Sequence, residues 1–310
     1  MMNALLFGFV VVVWGLTWYA IKLQLGATPA EVSIFWRFFL SAAILWAGLA
    51  ATGRLRRAPL RGHVWFAALG LALFSVNFLC FYNAERFVAS GVVSVVFSMA
   101  SAFNVANQRL FRGFRPAPRV IVGALIGALG VACLFADRLA ATTAGAQAAL
   151  GVALALAGAY CFSLGNLASL PATRAAADLP NAIARAMSWG AAFLAAVAAA
   201  RGLSFAPALS GVYVGALLYL AAVGSVLAFL AYLALVSRIG PERAAYTTVL
   251  SPVIALAMSS LLEGYEWNRW AFVGAPLILI GNVVIFRPRL RRGGADRDRP
   301  TRFPRARFPL

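Results

Sequence analysis

A chain of 310 residues that is 63% hydrophobic and 12% charged carries more apolar surface than a soluble core can hide, so its solvent is largely lipid. A net charge of +18 does not point to nucleic acid, because the basic residues sit at the edges of apolar runs and not along one face. Cys80, Cys133 and Cys161 are odd in number and each lies inside an apolar run, so no disulfide framework, metal site or cofactor is indicated.

In chain order, residues 4–21 are too long for a signal-peptide core, lack a basic stretch before them and precede no A-x-A site, which predicts a mature membrane helix. Ten apolar segments follow the length rule of roughly 20 residues per crossing. They span 4–23, 31–52, 64–84, 90–111, 118–137, 147–169, 181–200, 210–236, 243–262 and 269–287. Breakers separate them: Gly26 and Pro29, Pro59 and Gly62, Gly113 with Pro116 and Pro118, Pro171 and Pro180, Gly202 and Pro207, Gly240 and Pro241. The expected class is an all-α polytopic membrane protein of ten transmembrane helices.

Lys and Arg counted on alternate sides orient that map, because short cytoplasmic loops hold the positive excess. One side carries Arg54, Arg56, Arg57, Arg61, Arg109, Arg112, Arg115, Arg119, Arg174, Arg185, Arg238, Arg243 and the arginines from Arg287 onward. The other carries Lys22, Arg86, Arg138, Arg201 and Arg269, so both termini are expected in the cytoplasm. Lys22 alone biases the first helix the opposite way. Five helices per half make the halves enter from opposite faces, as inverted repeats over 1–139 and 140–288. Tyr82 matches Tyr232, Ala84 matches Ala234 and Ser101 matches Ser251 at one constant spacing, and Gly123, Gly130 and Phe135 echo Gly274, Gly281 and Phe286. The remaining tail, 289–310, is rich in Arg and Pro and is expected to be disordered beside anionic lipid.

Polar groups in lipid-spanning helices must face protein or water, so their angular positions mark a cavity. Ser94, Ser98, Ser101, Asn104 and Gln108 recur at three- and four-residue spacing on one face. The matching stretch holds Tyr246, Thr247, Thr248 and Ser251 before Pro252, whose ring disturbs the Thr248 carbonyl. Small hydroxyls also serve simply to join helices. Aromatic residues share faces in the same manner: Trp14 with Trp18, Phe74 with Phe78 and Tyr82, Tyr160 with Ser163 and Asn166, Phe229 with Tyr232. An interfacial belt is the competing reading, and it suits Trp65, Trp267 and Trp270 at segment ends.

Arg37 lies about 9 Å into its segment by helical rise, where it can snorkel or bond to carbonyls, and a structural role is favoured. The acids Glu31, Glu85, Asp137, Asp178, Glu242, Glu263, Glu266, Asp296 and Asp298 all fall at helix ends, in loops or in the tail. No carboxylate is placed mid-membrane, which favours gradient-driven flux over proton antiport. Glu85 is the nearest coupling candidate, with an ion pair to Arg86 or Arg37 the more ordinary expectation. No ATP-binding loop or metalloprotease motif is present, and His63 is the only histidine. An enzyme is not expected.

Trp14-Gly15 with Lys22 after it, Trp36-Arg37-Phe38, Tyr82-x-Ala84, Tyr232-x-Ala234 before Gly240-Pro241, Ser251-Pro252, and Glu263 ahead of a Gly-rich last helix resemble the EamA-type drug/metabolite transporters over residues 4–287. More narrowly, the chain resembles the YddG-type exporters of aromatic amino acids. That resemblance implies ten helices in two inverted repeats around a central cavity in a bacterial inner membrane. The chain departs from the pattern at Ala102, where a proline is common, and at Arg112-Gly113, where a Gly-Glu pair is common. The expectation is a monomeric exporter of aromatic and other neutral amino acids, with a cavity lined by Trp14, Trp18, Phe78, Tyr82, Ser98, Ser101, Tyr160, Ser163, Tyr232, Tyr246 and Ser251. A carrier of phosphosugars or nucleotide-sugars would place more Lys or Arg in the cavity. A passive channel or a membrane scaffold is the remaining alternative.

Overall fold

Within lipid a chain must satisfy its backbone groups internally, and the apolar runs do so as helices. The computed structural model describes residues 1–113, 117–139, 143–239, 244 and 246–286. The Gly240-Pro241 turn, Arg115, Glu242, Arg243 and the tail lie outside the described residues. Among the described residues there are helices and no strands.

The helices are α1 (Met2–Lys22), α2 (Ala30–Ala51), α3 (His63–Leu71), α4 (Asn77–Ala84), α5 (Ser90–Phe97), α6 (Ala100–Arg112) and α7 (Pro118–Leu139). They continue as α8 (Thr143–Ala175), α9 (Leu179–Ala200), α10 (Gly211–Leu218), α11 (Ala228–Ile239), α12 (Tyr246–Leu262) and α13 (Arg269–Phe286). Wide π-helical stretches, Ala72–Val76 and Tyr219–Leu227, join α3 to α4 and α10 to α11. Seven apolar helices among the described residues are long enough to cross a membrane: Met2–Lys22, Ala30–Ala51, Leu60–Ala84, Ser90–Phe111, Gly145–Ala175, Leu179–Ala200 and Gly211–Tyr232. Three shorter ones are Pro118–Cys133, Tyr246–Leu262 and Arg269–Ile285.

Two expected boundaries differ. Pro171 does not end its segment but lies inside α8. A helical proline removes only the one amide that would bond the Leu167 carbonyl, and on either side Ser169 Oγ donates to the Asn166 carbonyl (2.7 Å) and Thr173 Oγ to that of Ser169 (2.8 Å). The turn falls instead at Ala177, with φ of 68°, before Asp178 accepts from the Asn181 N–H and caps α9. The segment expected over 90–111 is broken at Ser98–Met99, where the amides of Ser98, Met99 and Ser101 bond three residues back. No proline causes that break, and α12 runs unbroken through Pro252.

Three helix pairs pack antiparallel through close contacts. In the α7–α13 pair, a Cβ added to Gly123 would stand 2.5 Å from the Gly281 carbonyl and one on Gly130 2.7 Å from that of Gly274. Only glycine lets two backbones approach so closely. In the α2–α9 pair, Glu31 meets Arg201 at one end and Asn181 Nδ2 reaches the Arg54 carbonyl (2.9 Å) at the other. In the α5–α12 pair, Ser90 meets Ser259, and a Cβ on Gly91 would lie 2.7 Å from Leu256 Cα. The other contacts come in matched sets: α1 packs on α11 and α12, while α8 packs on α4 and on α5 and α6.

Candidate functional site

At the Ser98–Met99 break the hydroxyls double the tightened backbone bonds: Ser98 Oγ donates to the Val95 carbonyl (2.6 Å) and Ser101 Oγ to that of Ser98 (2.9 Å). Beyond it, α6 turns its polar stripe toward α8 and α13. Asn282 of α13 donates through Nδ2 to Ser98 Oγ (2.9 Å) and to the Ile278 carbonyl (3.0 Å), and its Oδ1 accepts from Ser101. Asn107 Nδ2 donates to Ser163 Oγ (2.8 Å), and Asn166 Nδ2 to Asn104 Oδ1 (3.1 Å).

These groups border a cavity of about 270 Å³ lined by Ser101, Asn104, Val105, Gln108, Ser163, Asn166, Leu167 and Ile285. Among the described residues, every polar lining group is a hydroxyl or an amide. Gln108 is exposed, so the cavity opens at the end of α6 that carries Arg109.

An aromatic layer lies behind it. Phe97 meets Phe162 (4.9 Å between centroids), Phe81 (5.4 Å) and Trp18 (5.5 Å), and Trp18 also meets Phe81 (5.2 Å). Farther out, Phe78 packs on Phe38 and lies under the Arg37 guanidinium, 4.5 Å from its ring centroid. Arg37 is 3% exposed and donates through Nε to Ser225 (3.1 Å), so it does not snorkel. Tyr82 donates to Gln24 Oε1 (2.7 Å). The end opposite the cavity mouth is fastened by Glu263: Oε2 accepts from the Ser90 amide (3.1 Å), and Oε1 accepts from Ser259 (2.7 Å) and from Ser90 Oγ.

Of the expected lining residues, Ser101 and Ser163 stand on the cavity wall and Ser98 lies one hydrogen bond behind it. Trp18 belongs to the aromatic layer, and Phe78 and Tyr82 to the polar cluster beyond. Trp14 packs on Tyr232 (5.1 Å) and Phe229 (6.3 Å). Ser251 is buried, and its carbonyl approaches Gly15 of α1. Tyr246 is half-buried at the start of α12. Tyr160 is 39% exposed against Phe103. The residues facing the α6 stripe across the cavity come from α8 and α13, not from the stretch around Ser251. Asn282, Asn107 and Phe97 were not expected; the cue was available for Asn282, a lone amide in an apolar run. The expected pairing of Glu85 with Arg86 or Arg37 is not formed.

The sequence model of the EamA-like transporter family matches residues 1–136 and again 149–287. The chain belongs to this family. Similar proteins include the inner membrane transporter YedA of Escherichia coli K12 and of E. coli O157:H7, described as uncharacterized, each 26% identical over 276 residues, 88% of this chain and 87% of the relative. The "Probable amino-acid metabolite efflux pump" of E. coli K12 is 26% identical over 286 residues, 89% of this chain and 91% of its own length. One solved crystal structure superposes with a TM-score of 0.62 at 17% identity, covering 91% of this chain and 96% of that one, a likeness of fold alone. EamA-like proteins are transporters, and this chain is a multi-pass membrane protein of that family.

Proposed function

We propose that the protein is an inner-membrane exporter of small neutral metabolites, aromatic and other neutral amino acids first. It works as a monomer by alternating access between two inverted five-helix repeats, over 1–139 and 140–288. The observation that carries the reading is a neutral cavity of hydroxyls and amides open at one end, with the opposite end fastened by Glu263. Such groups can receive both the ammonium and the carboxylate of a zwitterion, and the aromatic layer of Trp18, Phe81, Phe97 and Phe162 can take an apolar side chain. At about 270 Å³ the cavity is at the small end of ligand sites.

Several observations support two inverted repeats. The family model matches twice. Three helix pairs, α2–α9, α5–α12 and α7–α13, join partners of equal rank in the two halves and run antiparallel, as a two-fold axis in the membrane plane requires. The π-helical stretches also correspond, and Ser75 matches Ser225 at the spacing that relates Tyr82 to Tyr232. The arginine-rich end is read as cytoplasmic, which places both termini there and opens the cavity to the cytoplasm, the loading state of an exporter.

Among the described residues the cavity lining carries no charged side chain, which argues against phosphate-bearing substrates. Uptake of labelled amino acids into proteoliposomes tests the proposal. Saturable uptake with counter-exchange, weakened by Ser101→Ala and Asn104→Ala, is the expected result. Rates equal to those of empty vesicles would end the transport reading, and unsaturable flux without exchange would favour a channel.

A further inference from the structure

Glu85 follows the last residue of α4 and is 0% exposed, yet neither carboxylate oxygen has a hydrogen-bond partner. Its neighbours turn their polar atoms elsewhere. Lys22 Nζ donates to the main-chain carbonyl of Glu85 (2.7 Å), not to its carboxylate. Gln24 and Arg37, 1% and 3% exposed, each keep a buried nitrogen without a partner, Nε2 and Nη1.

The charged and titratable groups facing Glu85 are Lys22 at the end of α1, Arg37 on α2, Tyr82 on its own helix and Glu263 beyond α12. The part of α8 packed beside Ala84 and Phe87, around Gly151, has no charged residue. Two cations and a second carboxylate therefore act on the group electrostatically, but none supplies a hydrogen bond to it. A carboxylate removed from water with no donor is far costlier than the neutral acid. In the closed state the acid is the favoured form, whereas opening this end would hydrate the group and let it ionise.

We propose that Glu85 takes one proton from the outer solution each time the outer end shuts and releases it when that end reopens, so that closure of this gate is proton-linked. The carboxylate and one proton become the acid on closing, and the same O–H bond breaks on opening. The inference rests on the alternating-access reading and replaces the expectation of purely gradient-driven gating. It places the titrating group at the end of the bundle, outside the substrate cavity.

The test reads conformation, not flux. Spin labels at Arg86→Cys and Glu266→Cys, both exposed positions, report the outer opening in nanodiscs once Cys80, Cys133 and Cys161 are replaced by alanine. In the wild-type background the closed-to-open ratio should fall by about tenfold per pH unit through the titration, as one-proton linkage requires. In Glu85→Gln, which imitates the neutral acid, the outer end should stay shut at every pH. A distance distribution unchanged by pH, or a Glu85→Gln protein that titrates like the parent, would overturn the proposal. If Glu85→Gln does not fold, Glu85→Asp decides: a titration that survives with a shifted midpoint supports Glu85, and one identical to the parent's sinks the idea. Titration without amino-acid uptake would leave the gate standing and remove only the substrate reading.

Discussion

Asn282 joins three places with a single amide, donating to Ser98 and Ile278 and accepting from Ser101, while 3% exposed. Replacing it by alanine removes one partner from each of two hydroxyls that keep their bonds to the Val95 and Ser98 carbonyls, and each hydrogen bond lost costs about 1 kcal/mol. Asn282→Ala should therefore lower the thermal unfolding temperature in detergent, and amino-acid uptake should drop roughly 5- to 30-fold if the lost energy appears in binding. Unchanged uptake would mean that the amide only holds helices together. At this scale the hydroxyl stripe was legible, because three- and four-residue spacing fixes which side chains share a face, and Ser101 and Ser163 do reach one cavity. The aromatic residues were less legible. Lipid, a neighbouring helix and a cavity all accept a ring, so spacing alone could not tell that Tyr160 packs on Phe103 at the surface, or that Trp14 pairs with Tyr232.

Among elements, glycine supplies the fixed geometry. Gly123 and Gly281 meet backbone to backbone, so an added methyl would collide first with the Gly281 carbonyl, which cannot turn aside as a side chain can. Gly123→Ala should destabilise the protein by about 1–3 kcal/mol through overpacking, whereas Gly8→Ala, with nothing within 4 Å of the new atom, should be neutral in the same unfolding assay. The echo of Gly123 and Gly130 in Gly274 and Gly281 was readable from sequence because close backbone approach admits few residue types. The break between α5 and α6 was not, since neither Gly nor Pro marks it. It is held by contacts distant in sequence, the Asn282 bonds to Ser98 and Ser101. Pro252 and Pro171, which do look like breakers, sit in continuous helices because a single missing amide does not outweigh the packing on either side.

For the whole molecule, the fastening across α5 and α12 is the contact that the proposed alternating-access cycle would have to undo. Ser90 Oγ and Ser259 Oγ are 3.1 Å apart, a separation that lets paired cysteines reach disulfide geometry with little movement. Ser90→Cys with Ser259→Cys, in a background without the native cysteines, should lose transport on oxidation and regain it on reduction. Transport persisting through a verified cross-link would show that this end need not open. The α7–α13 pair should behave in the opposite way. Two backbones in contact at both Gly123–Gly281 and Gly130–Gly274 leave no slack for sliding or tilting, so this pair should keep its length while the rest of the bundle rearranges. It then offers an internal ruler: labels at the exposed Leu125 and Phe272 should report one distance at every pH and substrate concentration, the constant against which any movement between Arg86 and Glu266 can be measured.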